Sequence, residues 1–319
     1  EEISTGYDPR PLQASIHKSI RRFNVLVCHR RFGKALALDT AVPLADGSWS
    51  KMGAIQAGDM VLGADGTPIE VLATHDVLQN RDCYIVEFEC GETIIADGEH
   101  LWSTTRKKDR HNPVRAGGRR MNVPRAAAPR STAEISATLE SRGENNHRVQ
   151  LAGPAAYPIQ ELPIDPYLLG AWLADGTTLA AQITTMDADV VEAFAEVWNV
   201  APTKHQNAGL ATTYTIRGGL RHDLRVNGLL GHKHIPEIYQ RASVAQRLAL
   251  LQGLCDGDGY LNSTGNYVEI VQKRVEIADG IEKLIRSLGM VSRRGVKSVN
   301  GADYHRIGFR PLLNVFRLE

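Results

Sequence analysis

Cysteine is scarce in this chain of 319 residues: there are four, Cys28, Cys83, Cys90 and Cys255. That is too few for a disulfide scaffold, and no two stand at the close spacing of a metal-ligand pair. A reducing, intracellular setting, the cytoplasm, is expected. No apolar run approaches the roughly 18 residues that a membrane span requires, and the acidic start Glu1-Glu2 is no signal peptide. A membrane partner is therefore not expected. Net charge is also small, at +1, although blocks of opposite sign cancel in such a sum. What is present is a length that suggests about two domains, with 43% hydrophobic residues to build their cores.

The chain breaks at a seam. Residues 1–34 are short and basic, with a helix expected over Gln13–Ile20 and a strand over Phe23–Val27. The strand leads into Cys28-His29-Arg30-Arg31-Phe32-Gly33-Lys34, the way a phosphate-binding loop begins. Such a loop needs a Ser or Thr hydroxyl after its Lys for magnesium, and a helix facing the phosphates. Position 35 is Ala, and strands and turns follow. Residues 1–34 resemble the start of the ATPase domain of phage terminase large subunits, with Cys28 where the general motif has Gly. That resemblance makes them a flanking segment of a host protein.

From Ala35 to Thr105, short strand-like runs alternate with tight turns. Asp46-Gly47 and Asp65-Gly66 are turn signals, while Met60–Leu62, Ile69–Ala73 and Tyr84–Phe88 carry strand residues. An all-β domain is expected. Ala35-Leu36-Ala37-Leu38-Asp39-Thr40 resembles the first motif of inteins, and Glu92-Thr93-Ile94-Ile95-Ala96-Asp97-Gly98-Glu99-His100-Leu101-Trp102 resembles their second. The resemblance implies a horseshoe-like (Hint) splicing domain in which a nucleophile at position 35 attacks the Lys34 carbonyl. It also implies that His100 protonates the departing nitrogen. Asp97 stands where many inteins have Thr and is able to share hydrogen bonds in the site. Ala35 has no nucleophilic atom, so this acyl shift is blocked as the chain is written, through an engineered substitution or through natural loss. The residue after the intein would be the Ser or Thr the phosphate loop lacks, which also suits the second splicing step.

Residues 106–152 read as a basic connector. Between Arg106 and Arg130 stand nine basic residues against one acid, Asp109, with Gly117-Gly118 and three prolines. No regular structure is expected before a short helix at Thr132–Leu139. A charge run of this kind is either merely solvated or a phosphate-contacting arm; Arg106, Lys107, Lys108, Arg119 and Arg120 are the candidate contacts.

The most specific signal is a repeat within residues 153–319. Leu168-Leu169-Gly170-Ala171-Trp172-Leu173-Ala174-Asp175-Gly176 and Leu251-Gln252-Gly253-Leu254-Cys255-Asp256-Gly257-Asp258-Gly259 each place a Gly five residues before an Asp-Gly ending. Helix starts precede both: Asp165-Pro166 before the first, Ser243 with Gln246 before the second. Small residues let two helices meet closely, which brings Asp175 and Asp258 to one point. Paired carboxylates bind hard divalent cations, and Mg²⁺ there activates water and stabilises a leaving oxygen. Both stretches resemble the signature of LAGLIDADG homing endonucleases. The resemblance implies two α/β units whose sheets form a saddle over double-stranded DNA and read base edges. It further implies that Lys233, in Lys233-His234-Ile235-Pro236, stabilises charge at the active site. Lys297 or Arg306 would serve the second repeat.

A helix is expected from Pro311, and the terminal intein strands with their His-Asn ending do not occur before Glu319. The splicing domain is therefore expected to be incomplete, completed by a C-terminal fragment. The expected whole is an intein in a terminase-like ATPase, with a mixed fold: a partial all-β splicing domain (35–105), the connector, and a two-repeat α+β endonuclease. A non-catalytic nucleic-acid-binding protein on the same scaffold, as in some maturases and regulators, is the alternative.

Overall fold

Side chains that bind their own backbone turn the early chain. Asp46 Oδ1 accepts from the Ser48 amide at 2.8 Å and Asp65 Oδ1 from the Thr67 amide at 2.9 Å. The glycine between each pair has φ near +84°, a conformation that only glycine adopts without strain. A computed structural model describes residues 36–116, 119–203 and 210–318, in two units. One unit comprises 36–44, 49–64 and 69–151; the other comprises 45–48, 65–68 and 152–318. The helix and strand expected before the seam, and Ala35 itself, lie outside the described residues.

The first unit is built of small antiparallel sheets. Strand β1 (Ala41–Pro43) pairs with β2 (Trp49–Lys51), β3 (Met60–Leu62) with β4 (Pro68–Glu70), and β5 (Cys83–Glu87) with β6 (Thr93–Asp97). Strand β7 (Leu101–Arg106) leads into the short helix α1 (Lys107–Arg110), β8 (Pro113–Ala116), β9 (Arg119–Asn122), β10 (Ala128–Ser131) and α2 (Thr132–Ala137). Two-residue strands β11 (Glu140–Ser141) and β12 (Glu144–Asn145) pair, and β13 (His147–Val149) closes a sheet of order β10-β7-β13. Its small core gathers Ile94, Ala96 and Trp102, with Leu36, Val86, Phe88 and Ile135 packed around them.

The connector therefore departs from expectation, because it is regularly folded. Asp109 is the reason: it is buried and takes Arg106 Nε at 3.1 Å and Arg130 Nη2 at 3.2 Å. Burial pushes its carboxyl up, but the Arg106 amide and the two guanidinium groups pull it below the usual range. Two of the nine basic residues thus neutralise one internal acid. Gly117-Gly118 separates β8 from β9, which pair with Ala116 opposite Arg119.

The second unit holds two similar halves around one continuous core. The first runs α3 (Pro166–Asp175), β14 (Gln182–Thr185), α4 (Ala188–Ala195), β15 (Asn199–Pro202), β16 (Thr212–Arg217), α5 (Leu220–Val226) and α6 (Glu237–Gln240). The second runs α7 (Val244–Asp258), β17 (Gly259–Leu261), β18 (Val268–Gln272), α8 (Val275–Ser287), β19 (Ser292–Val299) and β20 (Ala302–Phe309). Sheet orders are β14-β16-β15 and β17-β18-β20-β19. A bridge from Gly176 to Ile183 stands where β17 pairs Gly259 with Ile270, so the first half has β17 shrunk to one residue.

Pro311 starts no helix. The amides of Arg317 and Leu318 donate to the Asp256 carboxylate, and Gln252 donates to the Asn314 carbonyl. These side chains of α7 take up the backbone groups that a helical ladder would use.

Candidate functional sites

The motif helices meet where their sequence leaves no side chain. Asp165 caps α3, accepting from the Tyr167 and Leu168 amides at 2.9 and 3.2 Å, and Ser243 with Gln246 forms a reciprocal capping box on α7. A Cβ added at Gly170 would lie 2.3 Å from the Leu250 carbonyl oxygen, and one at Gly253 would lie 2.1 Å from that of Tyr167. The backbones touch, and no other residue fits at either position.

This contact brings the two helix ends together. A Cβ at Gly257 would lie 3.0 Å from Asp175 Oδ2, so the Asp175 carboxylate rests against the last turn of α7, beside Asp258. Burial, and then the charge of Asp258, push Asp175 up to about 6. Burial raises Asp258 as well, although Gln272 and Lys233 favour its anion. Two carboxylates in one poorly hydrated place oppose each other's ionisation, a cost that a divalent cation would remove. The donor set therefore fits a hard cation such as Mg²⁺.

Lys233 is brought to the same place. It is buried, and its ammonium donates to the carbonyls of Trp172 at 2.8 Å, Leu173 at 3.0 Å and Gly176 at 2.6 Å. It lies 4.7 Å from the centre of the Trp172 ring. Its three protons thus close the C-terminal end of α3, while its charge acts on both carboxylates. Burial pulls it down to about 8.

Gln272 was not expected from the sequence. It is buried on β18 and its Nε2 donates to Asp258 Oδ2. The only signal was positional: it stands two residues beyond Ile270, the residue that pairs with Gly259. Thr185 holds the matching position in the first half, where its hydroxyl accepts from the Asp187 amide at 3.0 Å.

Lys297 and Arg306 sit on the outer sheet face, lining a shallow cavity of about 240 Å³ with Val271, Val299 and Tyr304. Arg306 is held by Glu269, at 3.0 Å from Nε and 2.6 Å from Nη2. In the first unit Lys107 pairs with Glu144 at 2.8 Å. Lys108 is on α1, and Arg119 and Arg120 are on β9.

His100 and Asp97 also lie close together. His100 is buried against Trp102, ring centres 5.0 Å apart, and its amide donates to the Asp97 carbonyl at 3.0 Å. The Asp97 carboxylate accepts from the Glu99 amide at 2.6 Å and from Arg81 Nε at 2.7 Å.

Residues 245–312 match the family model described as a LAGLIDADG-like domain. Over 277 residues the chain is 39% identical to a replicative DNA helicase DnaB of Mycobacterium intracellulare; the match takes in 85% of this chain and 45% of the helicase, so the chain spans less than half of that relative. It is 41% identical to the Msm DnaB1 intein splicing domain, solved with zinc, over 30% of this chain and 77% of that one, with a TM-score of 0.22. The chain belongs to the intein family. This intein carries a LAGLIDADG domain. The homing endonuclease I-DmoI, solved with DNA and Mn, is similar over 46% of this chain and 89% of its own at 13% identity and a TM-score of 0.33. The fold class is the mixed one expected, with Hint-like and two-repeat α+β parts.

Proposed function

We propose that the second unit of this intein is a site-specific endonuclease that cuts both strands of DNA with Mg²⁺, and that residues 35–105, most of them in the first unit, are the N-terminal part of the splicing domain. The observation that carries the nuclease reading is the pairing of Asp175 and Asp258 across the Gly170–Gly253 contact. Divalent cations held there would lower the pKa of bound water and neutralise the leaving oxygens of two scissile phosphates. Asp175 and Asp258 supply the hard oxygen ligands, one from each half. Lys233 fixes the end of α3 that carries Asp175, and adds positive charge where phosphate must approach. Gln272 orients Asp258. Lys297 and Arg306 meet phosphates or base edges on the sheet face, and Lys108, Arg119 and Arg120 make phosphate contacts from the connector.

In the splicing reading, His100 is the general acid for breaking the Lys34–Ala35 bond, and Ala35 holds that step closed. A C-terminal fragment supplies the rest of the domain. The flank reads as the phosphate loop of a terminase, on residues 28–34, whereas the relative above is a replicative DNA helicase DnaB. A downstream flank that opens with Ser or Thr in a terminase frame would support the terminase reading.

DNA spanning the uninterrupted host site, incubated with the chain and Mg²⁺, is expected to be cut in both strands, and Asp175→Asn or Asp258→Asn to lower cutting at least about 100-fold. Binding without cutting in the unmodified chain would leave a non-catalytic DNA-binding protein in place of the nuclease.

A further inference from the structure

The turn that carries His100 is fastened from two sides. On one, Thr132 and Ala133 at the start of α2 donate their amides to the His100 and Gly98 carbonyls, both at 2.9 Å. On the other, the Gly98 amide donates to the Asp82 carbonyl at 2.9 Å, and the neighbouring Arg81 side chain spans the turn. Its guanidinium meets Asp97 at 2.7 Å through Nε and at 3.4 Å through Nη2, and reaches Glu99 at 2.6 Å. Asp97 is 3% exposed. A carboxylate that deep is costly without a paired cation, and Arg81 is the cation beside it.

We propose that Arg81 is a positioning residue of the splicing site, holding the Asp97 carboxylate charged and in place in the turn that presents His100. This rests on the splicing reading of the first unit. The Asp97 carboxylate and His100 interact through charge, and a departing amide nitrogen takes its proton from an imidazole acting as general acid. Without the guanidinium, the buried carboxyl takes up its own proton at a higher pH. The acidic side of the reaction then suffers first, because that is where the carboxyl loses the charge by which Arg81 holds it in place.

The test uses the full chain with Ala35→Cys. In it the new sulfur at position 35 attacks the Lys34 carbonyl carbon, a C–S bond forming as the C–N bond to residue 35 breaks. The nitrogen takes its proton from His100, and the thiol proton passes to water. Added dithiothreitol exchanges into the thioester and frees residues 1–34, which mass spectrometry counts from about pH 5 to 9. Arg81→Gln in this background is expected to slow release about tenfold at the acidic end, and much less at the alkaline end. Arg81→Lys restores most of it, and Glu99→Gln leaves the profile where it was. Asp97→Asn is expected to reproduce the effect and to make Arg81→Gln silent, since the two act as one pair.

An unchanged profile in Arg81→Gln overturns the inference, and so does an equal loss at every pH or a second loss on top of Asp97→Asn. If Arg81→Gln melts too readily to assay, the profile of Asp97→Asn decides, an unmoved acidic limb counting against the inference. No release from Ala35→Cys with Arg81 intact overturns the splicing reading itself.

Discussion

The two halves of the second unit repeat a backbone but not its chemistry. Gly176 and Gly259, Ile183 and Ile270, and Thr185 and Gln272 stand at matching places in the register. Asp258 receives an amide proton from Gln272, whereas Thr185 turns its hydroxyl to its own chain. Each half also buries one cation for its helix ends. Lys233 closes α3, and Arg247 donates to the Ser287 carbonyl at the end of α8 at 2.7 Å. A duplicated fold thus fixes where the two carboxylates stand, while neighbours differing by one side chain set how readily each ionises.

The shared part is the harder to break. Gly253→Val is expected to cost about 3 kcal/mol or more, because its first carbon already overlaps the Tyr167 carbonyl. Gly295→Ala, on β19 with nothing near its added carbon, should stay within about 0.5 kcal/mol. Thermal unfolding of both variants checks this contrast.

Lys233→Met should cost about 2 kcal/mol, since three carbonyls lose their donor. DNA cutting should fall with it. Chemical denaturation with a matched cleavage assay measures both, and full cutting in this variant would remove Lys233 from the site.

The carboxylates sharpen the difference between halves. The folded state holds the Asp175 proton up to about pH 6, while the unfolded chain releases it near 3.8. Stability is therefore lost as pH rises through that window, and the cost is full above it. Asp175→Asn should raise stability at pH 7 by on the order of 1–2 kcal/mol after solvent screening, and change little at pH 4. Asp258→Asn should gain less, because Gln272 already favours its anion and nothing of that kind is found at Asp175 among the described residues. Melting curves in chelator at the two pH values read this out, and equal gains would erase the asymmetry.

The smallest effect belongs to the sheet face. Glu269→Ala frees Arg306 from an exposed pair and should move stability by less than about 0.5 kcal/mol. DNA binding should tighten, and its salt dependence steepen by about one phosphate contact. Titrations at several salt concentrations test it.

Local rules carried much of this architecture. Strand β3 begins and ends where its residues predicted, and the caps at Asp165 and Ser243 mark the motif helices as expected. Close approach of α3 and α7 was legible because glycine at the two matching places has one physical use. What stayed hidden was long-range. One acid, Asp109, folds a basic run by meeting Arg130, 21 residues away, and Arg81 finds Asp97 across 16. No periodicity signals such pairs. The helix expected from Pro311 failed for the same reason, since Asp256 lies 61 residues before the Arg317 amide it binds.

On the proposed nuclease reading, the Gly170–Gly253 contact bears on any attempt to change the DNA sequence recognised. A joint with no room for one methyl group works as a ruler. On that same reading, the interval between the cuts on opposite strands is set by main chain, and side chains on the sheets choose only the address. Variants selected for new sequences should leave the same overhang.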